Sequence, residues 1–345
     1  MRQEGEGDLE DLVRAFGHGD LVAASTLQPG LRTFRTSFGG IVYARALGTA
    51  VTLGGPLCAE DDRKELVRRF LEQERRSTFF YVRADVLPAL EHHGLHGAGI
   101  GVDREADLQA LAGAPSPETR SAVRSAHKAK VTLREVDADA PWPELEAVQR
   151  DYLASAQVPV EMAFLNRPMV FGPAPLRRVF VLEERGMVFG FAAINPIYRH
   201  RRVTAWLLDI LRFRRTRVWG IWLSTVARLG ALLAAEGTGL SLGFCPLANV
   251  THPRTLPSPR LRRHVDGMAR WLGGVQYLRR LRELKALVPG RDEPRYLASF
   301  SSFAAVPLLS FLRASGLGPR VFLGPDLLRV LRGGMRTKHA AEVRV

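Results

Sequence analysis

A chain of 345 residues, 46% hydrophobic and 24% charged, carries enough apolar material for one large core or two ordinary ones, which excludes wholesale disorder. Its two cysteines, Cys58 and Cys245, lie in different halves; they exclude a disulfide framework and a cysteine-rich metal site and point to a reducing compartment. Lysine and arginine outnumber aspartate and glutamate 49 to 35, a formal charge of +14 that favours phosphate-bearing partners (RNA, a nucleotide, an anionic lipid surface) without choosing among them.

The first dozen residues are acidic and then amphipathic, so no signal peptide is expected. The most apolar stretches, 229–235 and 303–312, fall short of the roughly 18–20 residues that a membrane span needs. Residues 9–30 follow a helical pattern that stops at Pro29-Gly30. Strands are predicted over 40–46 and 49–53 around Leu47-Gly48, and Gly54-Gly55-Pro56 breaks the second. Leu66, Val67, Phe70 and Leu71 recur at helical spacing within 61–75. A buried strand over 78–82, a short helix over 86–92, a strand and loop within 101–113, a basic helix over 118–130 and a strand over 131–136 follow.

The second half repeats this order: a helix over 142–156, an irregular stretch over 164–175, a hairpin of 178–183 and 187–195 across Glu184-Arg185-Gly186, a strand over 204–213, a helix over 220–236 and a strand-like run over 240–244. A basic, proline-rich loop over 251–263, a helix from 265 to about 287 and an apolar-basic tail complete the chain. The expected fold is α/β: a tandem of two related layers, each a mixed sheet flanked by helices. The expected division is 1–135, 136–298 and a basic extension over 299–345. The apolar-basic runs of that extension suit either packed helices or contact with an anionic membrane.

The most informative segment runs from Ala205 to Phe213. In a regular strand Leu207, Asp209 and Leu211 share one face, and Leu208, Ile210 and Arg212 the other. A carboxylate in the middle of an apolar strand is costly unless it is paired or at work. Arg212, Arg214, Arg215 and Arg217 lead into Gly220, where a helix N-terminus offers unpaired amides to a phosphate. The turn is similar to the pyrophosphate-binding turn of GNAT acetyltransferases, with fewer glycines. Cys245 and His252 are an unconvincing nucleophile pair, because no acidic third member is evident and an apolar-flanked cysteine is more often a core residue. Zinc-site, dinucleotide-loop and Walker-type motifs do not occur.

Taken together, these segments resemble the C-terminal catalytic domain of bacterial phosphatidylglycerol lysyltransferases, from about residue 17 to about 298. The resemblance rests on Tyr43 to Pro56, Phe79-Phe80-Tyr81-Val82 with Leu87-Pro88, Asp209-Ile210-Leu211-Arg212, Leu242-Gly243-Phe244-Cys245-Pro246-Leu247 and Pro294-Arg295-Tyr296-Leu297. The chain departs from the family at Gly54-Gly55-Pro56, which lacks a preceding acid, and at the reduced segments Lys285-Ala286-Leu287 and Glu161-Met162-Ala163-Phe164.

The resemblance implies a tandem GNAT-like fold that moves an aminoacyl group from aminoacyl-tRNA to an amine or hydroxyl of a lipid head group or small metabolite. The donor ester is already activated, so no metal or cofactor is required. On this basis Asp209 is expected to orient or bind an amine and Arg212 to bind phosphate or the oxyanion. Glu161 is expected to bind a substrate amine, with Asn195 a secondary polar contact. Arg217 and the amides after Gly220 would seat donor phosphate, while Arg279, Arg282 and Lys285 would meet the tRNA end or an anionic head group. Two other classes stay open: an acyl-CoA-dependent acyltransferase, and a non-catalytic RNA- or membrane-binding protein on the same fold.

Overall fold

The computed structural model describes residues 6–138, 142–155, 161, 163–170, 174, 176–248, 276–300 and 305–316. In chain order the elements are α1 (Glu6–Phe16), β1 (Arg32–Thr36), β2 (Gly39–Ala46), β3 (Thr49–Leu53), β4 (Leu57–Cys58), α2 (Arg63–Gln73), β5 (Ser77–Val82), α3 (Leu87–Glu91), β6 (His96–Ala106), α4 (Leu108–Gly113), α5 (Pro117–Lys128) and β7 (Val131–Val136). They continue with α6 (Pro143–Ser155), β8 (Arg178–Glu184), β9 (Met187–Arg199), β10 (Arg202–Phe213), α7 (Ile221–Ala235), β11 (Gly239–Pro246), α8 (Gln276–Ala286), β12 (Gly290–Ser299) and α9 (Ala305–Ala314).

Local chemistry accounts for several boundaries. Ser116 caps α5 by accepting from Thr119 N at 3.1 Å, with Pro117 just inside. Asp107 caps α4 in the same way through Ala110 N at 2.9 Å. The β2–β3 and β8–β9 hairpins close on Leu47-Gly48 and Arg185-Gly186, all four with positive φ, as tight two-residue hairpin turns require.

The two separate sheets expected from the sequence are one. Twelve strands form a single mixed sheet in the order β1-β2-β3-β5-β12-β6-β11-β10-β9-β8-β7, with β4 beside β2. The halves are joined because β6 pairs with β11 antiparallel, and because β12, late in the chain, enters between β5 and β6. Among the described strands, β3–β5 and β10–β11 pair in parallel and the rest antiparallel. Neither β1 nor β12 was expected. Pro294 argues against a central strand; it is accommodated because β5 pairs only with Tyr296–Ser299, so β12 is unpaired on that side at Pro294.

One face of the sheet is covered by α6 in the second half and α9 in the first: Leu145 and Val148 of α6 pack on Val179, Phe191 and Ile210, and Phe311 of α9 stacks on Phe80 with ring centroids 3.7 Å apart. The opposite face carries α2 and α3 under the first half and α5, α7 and α8 under the second. The expected loop over 251–263, the first part of the expected helix from 265, and the run 327–331 lie outside the described residues. Among the described residues no helix is long and apolar enough to cross a membrane.

Candidate functional site at a row of bulged strands

The centre of the sheet departs from regular pairing in four strands. Register shifts leave Tyr81 of β5, Ile100 of β6, Leu242 of β11 and Asp209 of β10 as extra residues. A bulge turns the residues that follow onto the other face, so side chains that strict alternation would separate come together. Phe80 and Tyr81 therefore join the same core cluster. Ile100 and Asp103 share a face, as do Ser241 and Phe244; Phe244 meets Tyr81 edge-on at 5.0 Å. Tyr81 has φ 67, a rare conformation for a bulky residue and one that concentrates where structure serves function.

A cavity of about 70 Å³ on the α6/α9 face is lined by residues of three of the bulged strands, β6, β10 and β11, with β9 and β12. Its wall carries Asp103, Glu105 and Glu293, ion-paired with Arg291 and Arg295 (Glu105 with Arg291 at 2.6 Å), together with Arg199 and Ser241. Asp103 is buried; it accepts from the Tyr81 hydroxyl and is ion-paired with Arg295, whose guanidinium lies 5.6 Å from the Tyr81 ring centre. Burial raises the Asp103 carboxyl above its ordinary range and, with Asp103 alongside, pushes the Tyr81 hydroxyl well up. Glu293 keeps 45% of its side chain exposed, 3.5 Å from Arg295 and 3.7 Å from Arg291, and so presents an accessible carboxylate. Lys285, on α8, is not on the surface: its buried Nζ donates to Phe244 O of β11 at 2.9 Å, and burial lowers its pKa.

On the same face, Asp209, Asn195, Arg212 and Glu161 do come together. Strict alternation puts Asp209 and Arg212 on opposite faces; the bulge at Asp209 puts Asp209, Ile210 and Arg212 on one. Asp209 Oδ2 accepts from Arg177 Nη2 at 2.5 Å, Asn195 Nδ2 at 2.9 Å and Arg167 N at 3.2 Å. Its side chain is 2% exposed and that of Arg177 0%, so this is a sealed ion pair. Burial pushes the Asp209 carboxyl up and the Arg177 guanidinium down, each opposed by the other. Arg212 pairs with Glu161 Oε2 at 2.7 Å and donates to Gln149, while Glu161 Oε1 accepts from Met169 N at 3.1 Å. Gln28 anchors the segment carrying Glu161, holding Phe164 N and O at 2.7 and 2.8 Å. Asn195 and Ile197, which lines the cavity, are alternate residues of β9, about 7 Å apart along the strand.

The remaining expected site residues lie elsewhere. Arg217 is exposed beside the start of α7, and Gly220 there has φ 66 and abuts α5, where a β-carbon would lie 2.5 Å from Ala122 Cβ. Glycine at this position thus has a packing reason independent of any phosphate. Gly220→Ala is expected to destabilise the fold by about 1–3 kcal/mol in urea unfolding; a change under about 0.5 kcal/mol would remove that reason. Arg279 and Arg282 are exposed on α8, where Arg279 pairs with Glu283 at 2.8 Å. Cys58 and Cys245 are buried, with the Cys58 thiol pushed up to about 12 by burial, as suits core residues. His252 lies outside the described residues. No group of His, Cys, Asp or Glu among the described residues is arranged to hold a metal ion.

Sequence reasoning missed Arg177, Asp103, Glu105 and Glu293. Arg177 reads as half of a solvated Arg177-Arg178 pair at a strand start. Asp103 had a usable signal, an acid directly after the apolar run Gly99-Ile100-Gly101-Val102, which is the argument applied to Asp209.

The fold is similar to solved structures. The C-terminal domain of a protein described as a lysylphosphatidylglycerol synthetase from Agrobacterium fabrum superposes with TM-score 0.73 at 21% identity, covering 90% of this chain and 98% of that one. L-PGS from Bacillus licheniformis gives 0.71 at 19% identity, covering 91% and 97%. A conserved protein of unknown function from Bacteroides thetaiotaomicron gives 0.57 at 10%, covering 86% and 97%. At such identities these likenesses establish the fold. A search of curated protein sequences finds no match. The family described as phosphatidylglycerol lysyltransferase, C-terminal, matches residues 11–299, close to the span of the resemblance read from the sequence, and the chain belongs to that family.

Proposed function

We propose that this chain is an aminoacyltransferase that moves an aminoacyl group from aminoacyl-tRNA to an amine or hydroxyl of a lipid head group or small metabolite, on a tandem GNAT-like fold whose two layers share one sheet. The observation that carries this reading is the cavity, where carboxylates suited to a substrate ammonium lie beside, and pair with, guanidiniums suited to a phosphate or a developing oxyanion. Family membership adds transferase chemistry.

The reaction joins the acceptor oxygen or nitrogen to the aminoacyl carbonyl carbon and breaks the ester bond to the tRNA ribose. The acceptor proton ends on the leaving ribose oxygen. In this reading Glu293 and Glu105 hold the substrate ammonium, and Arg291 and Arg295 face the negative charge that develops on the carbonyl oxygen. Asp103 fixes Arg295, and Lys285 supports the β11 backbone beside it. Asp209 is a positioning residue: through Asn195 and Arg177 it ties β9 and β10 to the segment carrying Glu161.

An acyl-CoA donor has less support, because the start of α7 that would receive its phosphates packs against Ala122. The test is to incubate the full chain with charged tRNA or with acyl-CoAs, each with and without lipid and metabolite extract, and to follow products by mass spectrometry. An acceptor-dependent product is expected with charged tRNA alone; a product from acyl-CoA alone would replace this reading.

A further inference from the structure

The rim of the cavity nearest the β9–β10 hairpin is strongly basic. Gly19 and Arg199 line the cavity, and Arg199, His200, Arg201 and Arg202 form the hairpin end. The rim is tied together by Gly19 N donating to Tyr198 O at 2.8 Å, His200 N to His18 Nδ1 at 3.1 Å, and Arg83 to His18 O. A β-carbon built on Gly19 would lie 2.5 Å from Arg83 Nη1 and 3.8 Å from Arg199 Nη2, so two guanidiniums converge on one point of the rim. Asp85 balances Arg83 and Arg63. Among the described residues no carboxylate pairs with Arg199, Arg201 or Arg202.

The hairpin end is also conformationally unusual. His200 and Arg201 both have positive φ (49 and 63), the two-residue turn that asparagine and glycine ordinarily fill. The rings of His18 and His200 lie 5.3 Å apart, and imidazole is among the rings on which unpaired bases stack.

We propose that this rim, the β9–β10 hairpin with His18 and Arg83, is the docking site for the phosphodiester backbone of an RNA strand whose end lies at the mouth of the cavity. That the RNA is the aminoacyl donor rests on the function proposed above; the binding itself does not. RNA is favoured over a membrane because a membrane-docking surface combines basic residues with apolar side chains that insert. None of the exposed large apolar side chains among the described residues falls within 17–20, 83–85 or 197–204. Arg201 and Arg202 lie beyond the cavity wall and reach the backbone outside it.

The test measures binding of uncharged bulk tRNA to the full chain by fluorescence anisotropy over a salt series, for the wild type and for R201E/R202E, with thermal unfolding as the control for folding. The double variant is expected to bind at least tenfold more weakly at equal salt. Its log–log salt slope should fall by about 1.4, two phosphate contacts at roughly 0.7 each. Unchanged tRNA affinity overturns the proposal. So does selective loss of binding to phosphatidylglycerol/phosphatidylcholine vesicles with tRNA binding intact, which assigns the rim to membrane. If tRNA binding shows the expected loss but charged tRNA yields no transfer product, the enzymatic reading fails and the docking site stands.

Discussion

Arg177→Ala is expected to lower the free energy of unfolding by about 3–5 kcal/mol, because removing one partner of a sealed ion pair leaves the other charge buried and uncompensated. The loss is large here for a second reason: Arg177 also donates to Asn195 Oδ1, Pro168 O and Arg167 O, so four groups lose their donor together. Replacing both charges, in R177M/D209L, removes the unpaired charge and is expected to cost less than the two single changes added together. Urea unfolding followed by circular dichroism gives the double-mutant cycle. A cost below about 1 kcal/mol for R177A would mean that the pair contributes little to holding β9, β10 and the 161–170 segment together. Transfer activity of the folded double variant separates two roles for Asp209. Full activity makes it purely structural, whereas a fall in kcat with unchanged KM makes it a positioning residue.

Glu293→Gln is expected to reduce kcat/KM for transfer from charged tRNA by roughly 10–100-fold, the value of one charge-assisted hydrogen bond to a substrate ammonium. Glu293 is half-exposed and its contacts with Arg291 and Arg295 are long, so the fold should change by less than about 0.5 kcal/mol. The two measurements together are diagnostic: activity loss without destabilisation fits a substrate contact, and unchanged activity removes Glu293 from the site. Glu105 is the natural second position, since its side chain shares the cavity wall and is engaged by Arg291 at 2.6 Å.

Alternating and helical apolar spacing made most elements readable: β2, β3, β5, the β8–β9 hairpin, β10, and helices α2, α5, α6 and α7 all fall where local pattern and turn chemistry put them. The family resemblance was readable too, and the family match over residues 11–299 nearly coincides with the span read from short segments such as Asp209 to Arg212 and Pro294 to Leu297. Asp209 as a residue requiring explanation also followed from sequence, since a buried carboxylate is costly in any fold.

What only the tertiary structure decided is pairing and face. Whether β6 meets β11, and whether β12 crosses back between β5 and β6, depends on long-range hydrogen bonds that no local window contains. A bulge is one extra residue opposite a partner strand, invisible without that partner, yet it reverses the side on which every later residue projects. For that reason strict alternation separated Asp209 from Arg212 and gave no sign that Asp103 and Glu105 of β6 would meet Glu293 of the unforeseen β12. The sequence by itself determined most elements, the family and Asp209 as a costly carboxylate; the sheet's register brought the charges of β6, β12 and the β9–β10 hairpin to a single cavity.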